Sequence, residues 1–260
     1  MSGCSVTGRA ALSIVCVLVI PFLAAGTLHA QDRARNGSGD SAGAEMLARG
    51  GLLFGVGGCA NCHTDTKKKG KPLAGGHAFE TPFGTFYSPN ISPDRTHGIG
   101  GWSDADFIRA MREGEAPDGS HYFPAFPYPS FTNMTDADLL ALKAHIFTLP
   151  AVAQPNKPHD VPFPFNVRFG QVFWKMLFFT KGPFHPDPSK SPEWNRGAYL
   201  SNAVAHCSEC HTSRNMLGGL DRDRWLAGTR KGEGPEGLAV PNITPHPQKG
   251  IGKWSIEQIV

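Results

Sequence analysis

A chain of 260 residues is long enough for one large domain or for two of about a hundred residues each. Its formal net charge of +3 gives no electrostatic case for nucleic acid as a partner. With 31 glycines and 22 prolines, the composition is high in both for a helical protein and implies short helices joined by long ordered loops.

Residues 1–30 carry the pattern of an export signal: one charge at Arg9, an apolar run from Ala10 to Ala25, and Thr27-Leu28-His29-Ala30 as a cleavage site. The alternative, an uncleaved anchor, is disfavoured because Pro21 interrupts a run near the lower limit for spanning a bilayer. Cys4 and Cys16 fall inside this segment. Its removal leaves four cysteines and no disulfide framework. Residues 31–43, rich in Arg, Asn, Gly, Ser and Asp, read as a polar linker without structure. A helix is expected from Ala44 to about Phe54, with Met46, Leu47 and Phe54 on its inner face.

That helix runs into Cys59-Ala60-Asn61-Cys62-His63, and the pattern returns at Cys207-Ser208-Glu209-Cys210-His211. In Cys-x-x-Cys-His the two thiols are spaced to capture both vinyl groups of a haem as thioethers, and the adjacent imidazole can bind iron from one face. Zinc would require both cysteine pairs to converge on one metal, although each trails its own histidine. A redox dithiol would sit beside a βαβ pattern, and no run of β-branched or alternating residues surrounds either copy. The reading is therefore two covalently bound haem c groups. Cys59 and Cys62 would hold the first with His63 on its iron; Cys207 and Cys210 would hold the second with His211 on its iron.

Past His63, Lys67-Lys68-Lys69-Gly70-Lys71 forms a basic loop. A solvated surface is the plainer reading, and steering of an acidic redox partner the sharper one. Gly75-Gly76, Thr81-Pro82-Phe83-Gly84 and Ser88-Pro89-Asn90-Ile91-Ser92-Pro93 make a turn-rich segment that ends in Gly98-Ile99-Gly100-Gly101-Trp102-Ser103. Ser103 and Asp106 have capping-box spacing for a helix from Asp104 to Arg112, whose Phe107, Ile108 and Met111 share one face and belong to the core. A second loop, Gly114 to Asn133, is stiffened by four prolines and delivers Met134. Thr135 and Asp138 then cap a helix from Asp136 to about Thr148. Met134 is expected as the sixth ligand of the first haem, the alternative being a staple residue packed on Leu139. A thioether opposite histidine favours ferrous iron and raises the haem potential, and closing both axial positions shuts out oxygen and peroxide.

Residues 154–192 form a Pro/Phe-rich connector in which Phe169, Val172, Phe173, Met176 and Leu177 fall at helical spacing between Phe165 and Phe179. Arg168 and Lys175 bar it from crossing a membrane. Packing between the two halves of the chain, and display of a surface to a partner protein or to a membrane face, both remain open. A second helix is expected from Glu193 to about Val204, with Trp194, Tyr199 and Leu200 inward.

The second half repeats more than the haem motif. Pro89-Asn90-Ile91-Ser92-Pro93 returns as Pro241-Asn242-Ile243-Thr244-Pro245. Gly98-Ile99-Gly100-Gly101-Trp102-Ser103 returns as Gly250-Ile251-Gly252-Lys253-Trp254-Ser255, at a constant offset of 152 positions. By that offset Val260 corresponds to Ile108, and the counterpart of Met134 falls past the last residue of the sequence. The second domain is thus expected to be truncated, with Met216, His206 and His246 as weak substitutes for its sixth ligand. Without one, the second haem would be five-coordinate and reactive.

With Gly75-Gly76-His77, Thr81-Pro82-Phe83-Gly84, Pro89-Asn90-Ile91, Pro124-Ala125-Phe126-Pro127-Tyr128 and Phe163-Pro164-Phe165-Asn166 in view, the chain resembles the multihaem c-type cytochrome subunits of periplasmic bacterial dehydrogenases, such as those for alcohol and gluconate. The resemblance covers residues 44 to 260. It implies electron relay: a separate dehydrogenase catalytic subunit oxidises a small molecule, and the haems pass electrons to a quinone or another cytochrome. The expected fold is mainly α, with two tandem cytochrome c-type domains at 44–153 and 193–260 joined by the connector. The expected place is the periplasm, with peripheral association at the inner membrane left open. The competing function is a dihaem, peroxidase-like enzyme with an open second haem.

Overall fold

The computed structural model describes residues 25–234 and 237–259, so most of the expected export signal lies outside the described residues. In chain order the elements are α1 (Ala25–Val56), the short α2 (Cys59–His63), a hairpin of β1 (Ala78–Thr81) and β2 (Gly84–Tyr87), α3 (Asp104–Glu113), the short α4 (Tyr128–Phe131) and α5 (Asp136–Ile146). The connector helix α6 (Gly170–Phe178) follows. Next come α7 (Pro192–Tyr199), which passes into a π-helical turn over Leu200–Val204, the short α8 (Ser208–His211) and α9 (Ile256–Ile259). Ala44–Val260 form one compact unit, and both Cys-x-x-Cys-His segments lie within it.

Three expectations are corrected. Residues 31–43, expected to lack structure, are helical as part of α1. Extending an existing helix adds one hydrogen bond per residue and avoids the cost of a new nucleus, so a polar stretch can remain helical when it adjoins a packed one. Met46 and Leu47, expected to face inward, are exposed, whereas Phe54 packs on the core as expected, and the inner face of α1 is Gly50, Leu53 and Phe54. A Cβ on Gly50 would stand 2.0 Å from the Ala141 carbonyl oxygen of α5. The two helices therefore meet backbone to backbone through a residue that a count of apolar side chains overlooks. Trp194 is likewise exposed, while Tyr199 and Leu200 do pack inward. The π-helical turn after Tyr199 inserts an extra residue into the helical phase, so one straight helical stripe cannot describe both ends of this segment.

The turn-rich segment also contains a hairpin that its prolines and glycines concealed. Phe79 pairs with Phe86 and Thr81 with Gly84 across the Pro82-Phe83 turn. Gly84, at φ +123°, lets Asp160 approach, and Thr85 exchanges backbone hydrogen bonds with Asp160 at 2.7 and 2.9 Å. Residues after α5 thereby strap the first loop system.

The helix starts follow local chemistry. Ser103 accepts the Asp106 N–H at 3.1 Å while the Asp106 carboxylate accepts the Ser103 N–H at 3.1 Å, completing the expected capping box of α3. At α5 only half the box forms: Thr135 accepts the Asp138 N–H at 3.2 Å, but the Asp138 carboxylate turns away to Arg49 of α1 and the Tyr199 hydroxyl of α7. The freed Thr135 N–H donates to that same Tyr199 hydroxyl at 3.2 Å. A residue of the second repeat thus completes the cap of a helix in the first.

One apolar core joins both repeats. Leu53, Phe107, Met111, Phe131, Met134, Leu139, Leu142 and Ile146 from the first half pack with Tyr199, Ala203 and Val204 from the second. The connector helix contributes differently. Lys175 donates to the carbonyls of Glu113 and Gly114 at the end of α3, at 2.6 and 3.1 Å, while Phe169, Phe173, Met176 and Leu177 stand exposed. Among the described residues no helix is long and apolar enough to cross a membrane.

Candidate functional site: two duplicated Cys-x-x-Cys-His segments

Each motif is a short helical turn entered through a left-handed residue. Gly58 (φ +61°) precedes Cys59, and His206 (φ +42°) precedes Cys207. Glycine adopts this conformation without strain. His206 is held in it by tertiary contacts, its Nε2–H donating to the Gly57 carbonyl at 3.2 Å and its ring meeting the edge of Phe131 at 5.4 Å between centroids. The two entry turns therefore pack against each other.

The histidines are oriented identically. His63 Nδ1–H donates to the Pro89 carbonyl at 2.8 Å, and His211 Nδ1–H donates to the Pro241 carbonyl at 2.8 Å. A carbonyl can only accept, so Nδ1 carries a proton in both sites and Nε2 is the nitrogen left to face a metal. This is the outer bond that fixes ring and tautomer when imidazole serves as a metal ligand. Burial lowers the pKa of His63, against the Pro89 bond, which favours a proton. The ring therefore stays neutral and able to ligate near neutral pH.

The loop skeleton behind each histidine repeats bond for bond. The His63 carbonyl accepts from Gly75 N–H at 2.8 Å, and the His211 carbonyl from Gly228 N–H at 2.7 Å. Thr64 Oγ1 accepts from Leu73 N–H at 3.2 Å, and Thr212 Oγ1 from Leu226 N–H at 3.0 Å. Leu73 and Leu226 share a left-handed backbone, at φ +60° and +58°. Their carbonyls accept from Ile91 and Ile243, both at 3.0 Å. These turns bring the Pro89 and Pro241 carbonyls under their histidines. Sequence reasoning recognised the repeated Pro-Asn-Ile but not its task; its return after each motif was the available signal.

All four motif cysteines are free thiols of intermediate exposure. Burial pushes the Cys59 thiol up to about 12 and raises Cys62, Cys207 and Cys210 as well. A redox dithiol needs the opposite, a thiol with a lowered pKa. Thiols kept protonated and paired with a carbonyl-oriented histidine fit the covalent attachment of haem. Cys59, Cys62 and His63 could hold one such group, and Cys207, Cys210 and His211 another.

Met134 is 1% exposed and lies in the shared core, against which Cys59 also packs; its backbone is fixed by Arg112, which donates to the carbonyls of Thr132 and Met134, both at 2.8 Å. The weaker candidates for a ligand in the second site are placed otherwise. Met216 is 93% exposed, His206 is engaged with Gly57, and His246 Nδ1 accepts from the N–H groups of Gln248 and Lys249 at 3.1 Å.

Comparison with known proteins agrees with this arrangement. Residues 47–150 match the cytochrome c family model. The chain is 47% identical over 203 residues to a dihaem cytochrome c-type protein of Cereibacter sphaeroides, covering 76% of this chain and 67% of that one. It is 38% identical over 250 residues to the fructose dehydrogenase cytochrome subunit of Gluconobacter japonicus, covering 95% of this chain and 50% of that one. It is 36% identical over 229 residues to the gluconate 2-dehydrogenase cytochrome c subunit of Pantoea cypripedii, covering 85% of this chain and 51% of that one. The chain thus spans about half the length of these two dehydrogenase subunits. The repeated attachment motifs, the carbonyl-held histidines and these relatives lead to one conclusion: the chain belongs to the c-type cytochromes, which bind haem c covalently.

Proposed function

We propose that the chain is a dihaem electron relay, exported to the periplasm, that takes electrons from a dehydrogenase catalytic subunit and passes them to a quinone or another cytochrome. The observation that carries this reading is the pair of complete Cys-x-x-Cys-His segments, each with its histidine held by a proline carbonyl, set against each other within one compact unit. Haem at each motif supplies a one-electron ferric/ferrous couple. Cys59 and Cys62, and Cys207 and Cys210, fix it covalently. The Pro89 and Pro241 carbonyls hold the protons of His63 and His211 on Nδ1 and leave Nε2 to iron. The Met134 thioether would supply a second protein ligand at the first site and, bound there, would shut out oxygen and peroxide.

Support for the partner comes from relatives that are cytochrome subunits of dehydrogenases. Peripheral contact with the inner membrane belongs to the same reading, through the exposed apolar face of the connector. The test is a pyridine haemochrome count and ligand-binding spectra of protein made in a host able to attach haem c. Two haems per chain, with one site closed to carbon monoxide, support the relay with Met134 on the first iron. Two haems that both bind carbon monoxide would reject Met134 and favour a peroxidase-like enzyme, and no covalent haem would reject the reading altogether.

A further inference from the structure

The segment that delivers Met134 is held from the second repeat at three points. The Ser130 hydroxyl donates to Glu209 Oε1 at 2.9 Å, the Phe131 ring meets the edge of His206, and the Thr135 N–H donates to Tyr199. Contacts through Phe131 and Thr135 serve the shared core as well. The bond through Glu209 is different in kind, because Glu209 is one of the two residues enclosed between Cys207 and Cys210. Its side chain is 10% exposed, and its second oxygen is taken by Arg214, so both oxygens are fixed. At the same place in the first motif stands Asn61, which is exposed. The attachment motif itself therefore does not require a buried carboxylate there. Ser130 is itself buried, four residues before Met134 on a stretch whose remaining bonds run to Arg112, Gly182 and Phe184.

From this juxtaposition we infer that Glu209 is a positioning residue for Met134: it ties the attachment segment of the second site to the loop that carries the axial thioether of the first, so that the two sites respond to each other. The inference rests on the reading that both motifs hold haem and that Met134 binds the first iron. A carboxylate that accepts from Ser130 and pairs with Arg214 makes a charge-assisted bond, stronger and shorter-ranged in its geometric demands than packing alone. Displacement of the Cys207–His211 turn is therefore transmitted to the backbone leading into Met134.

The test uses the full chain loaded with haem, as wild type, Ser130→Ala, Glu209→Gln and the double variant. Two readouts are needed: the covalent haem count, and the weak long-wavelength charge-transfer band of methionine-ligated ferric haem followed as pH is raised. We expect two haems throughout, and a band that each single variant loses about one pH unit earlier than wild type, a tenfold weaker hold on Met134. The double variant should lose it no earlier than Ser130→Ala, because Glu209→Gln weakens the bond that Ser130→Ala already removes. Single variants that keep the band to the wild-type pH with both haems attached, or a double variant whose loss is the sum of the two, would overturn the inference. Should Glu209→Gln lose the second haem, Ser130→Ala decides, since it leaves the motif untouched. A wild type with two haems and no such band would instead overturn the assignment of Met134 to iron, and the inference with it.

Discussion

The Pro-Asn-Ile loops of the two repeats share one hydrogen-bonded skeleton but not one environment. In the first, Asn90 is buried, its amide donating to the carbonyls of Val152 and Gln154 at 2.7 and 3.0 Å while its Oδ1 accepts the Ser92 N–H. In the second, Asn242 keeps the local bond to the Thr244 N–H at 2.8 Å, and no described segment covers it as residues 152–161 cover Asn90. Phe107 of α3 is buried, whereas its counterpart at the 152 offset, Ile259, is exposed, and Trp254 is 54% exposed where Trp102 packs on the core. The difference separates two layers of specification. A loop skeleton that orients a histidine recurs in both copies. Burial of the first copy is supplied by elements distant in sequence.

The sharpest way to break this comparison is at Gly50, whose Cβ would collide with the Ala141 carbonyl, against Ala198, which stands as far before Cys207 as Gly50 stands before Cys59 and already carries a side chain. Gly50→Val should cost at least about 3 kcal/mol in urea unfolding, and Ala198→Val less than about 1. Equal losses would show that the α1–α5 contact is not what distinguishes the repeats. Next in size is Asp138→Asn, expected to cost about 3 kcal/mol by leaving a buried partner of Arg49 and Tyr199 mismatched. Burial pushes the Asp138 carboxyl up, but the bonds from Arg49 and Tyr199 outweigh it and hold the group below its ordinary value. A lowered folded-state pKa means that its contribution is full above the unfolded value of about 4 and fades as pH falls through the depressed one. Acid unfolding of Asp138→Asn should therefore lack that part of the wild-type slope, and an unchanged profile would contradict the coupling.

Asn90→Ala should cost about 2 kcal/mol and Asn242→Ala about 1, since the first leaves buried carbonyls unsatisfied and the second only a local turn. Similar losses in chemical denaturation would mean that the cover over Asn90 adds nothing. The smallest effect is expected at Trp254→Ala, within about 0.5 kcal/mol, against a clear loss for Trp102→Ala. Thermal unfolding of the two variants measures that pair.

Much of the site was legible. The attachment residues, the capping Ser103 and Thr135, and the repeated loops follow from spacing, because each depends on atoms a few residues apart. Pro89 and Pro241 were visible as repeated residues, yet their carbonyls act through backbone geometry that residue types do not encode. The inward assignment of Met46, Leu47 and Trp194 failed for a related reason. Periodicity identifies an apolar face but not the turn at which a neighbour reaches it, and here the neighbour meets glycine. The hairpin Ala78–Tyr87 escaped notice because its strands are short and its turn chemistry resembles the loops around it.

By itself, the sequence determined the chemistry of this protein. Two Cys-x-x-Cys-His segments and their repeated loops specify a haem-attaching chain, since thiol spacing is a local property and the loops recur as whole sequence motifs. Only the tertiary structure decided that the repeats share one core, that Tyr199 completes a helix cap in the other repeat, and that Glu209 reaches Ser130. Those are contacts between residues far apart along the chain. They are selected by which surfaces fit once helices pack, and no local pattern carries that information.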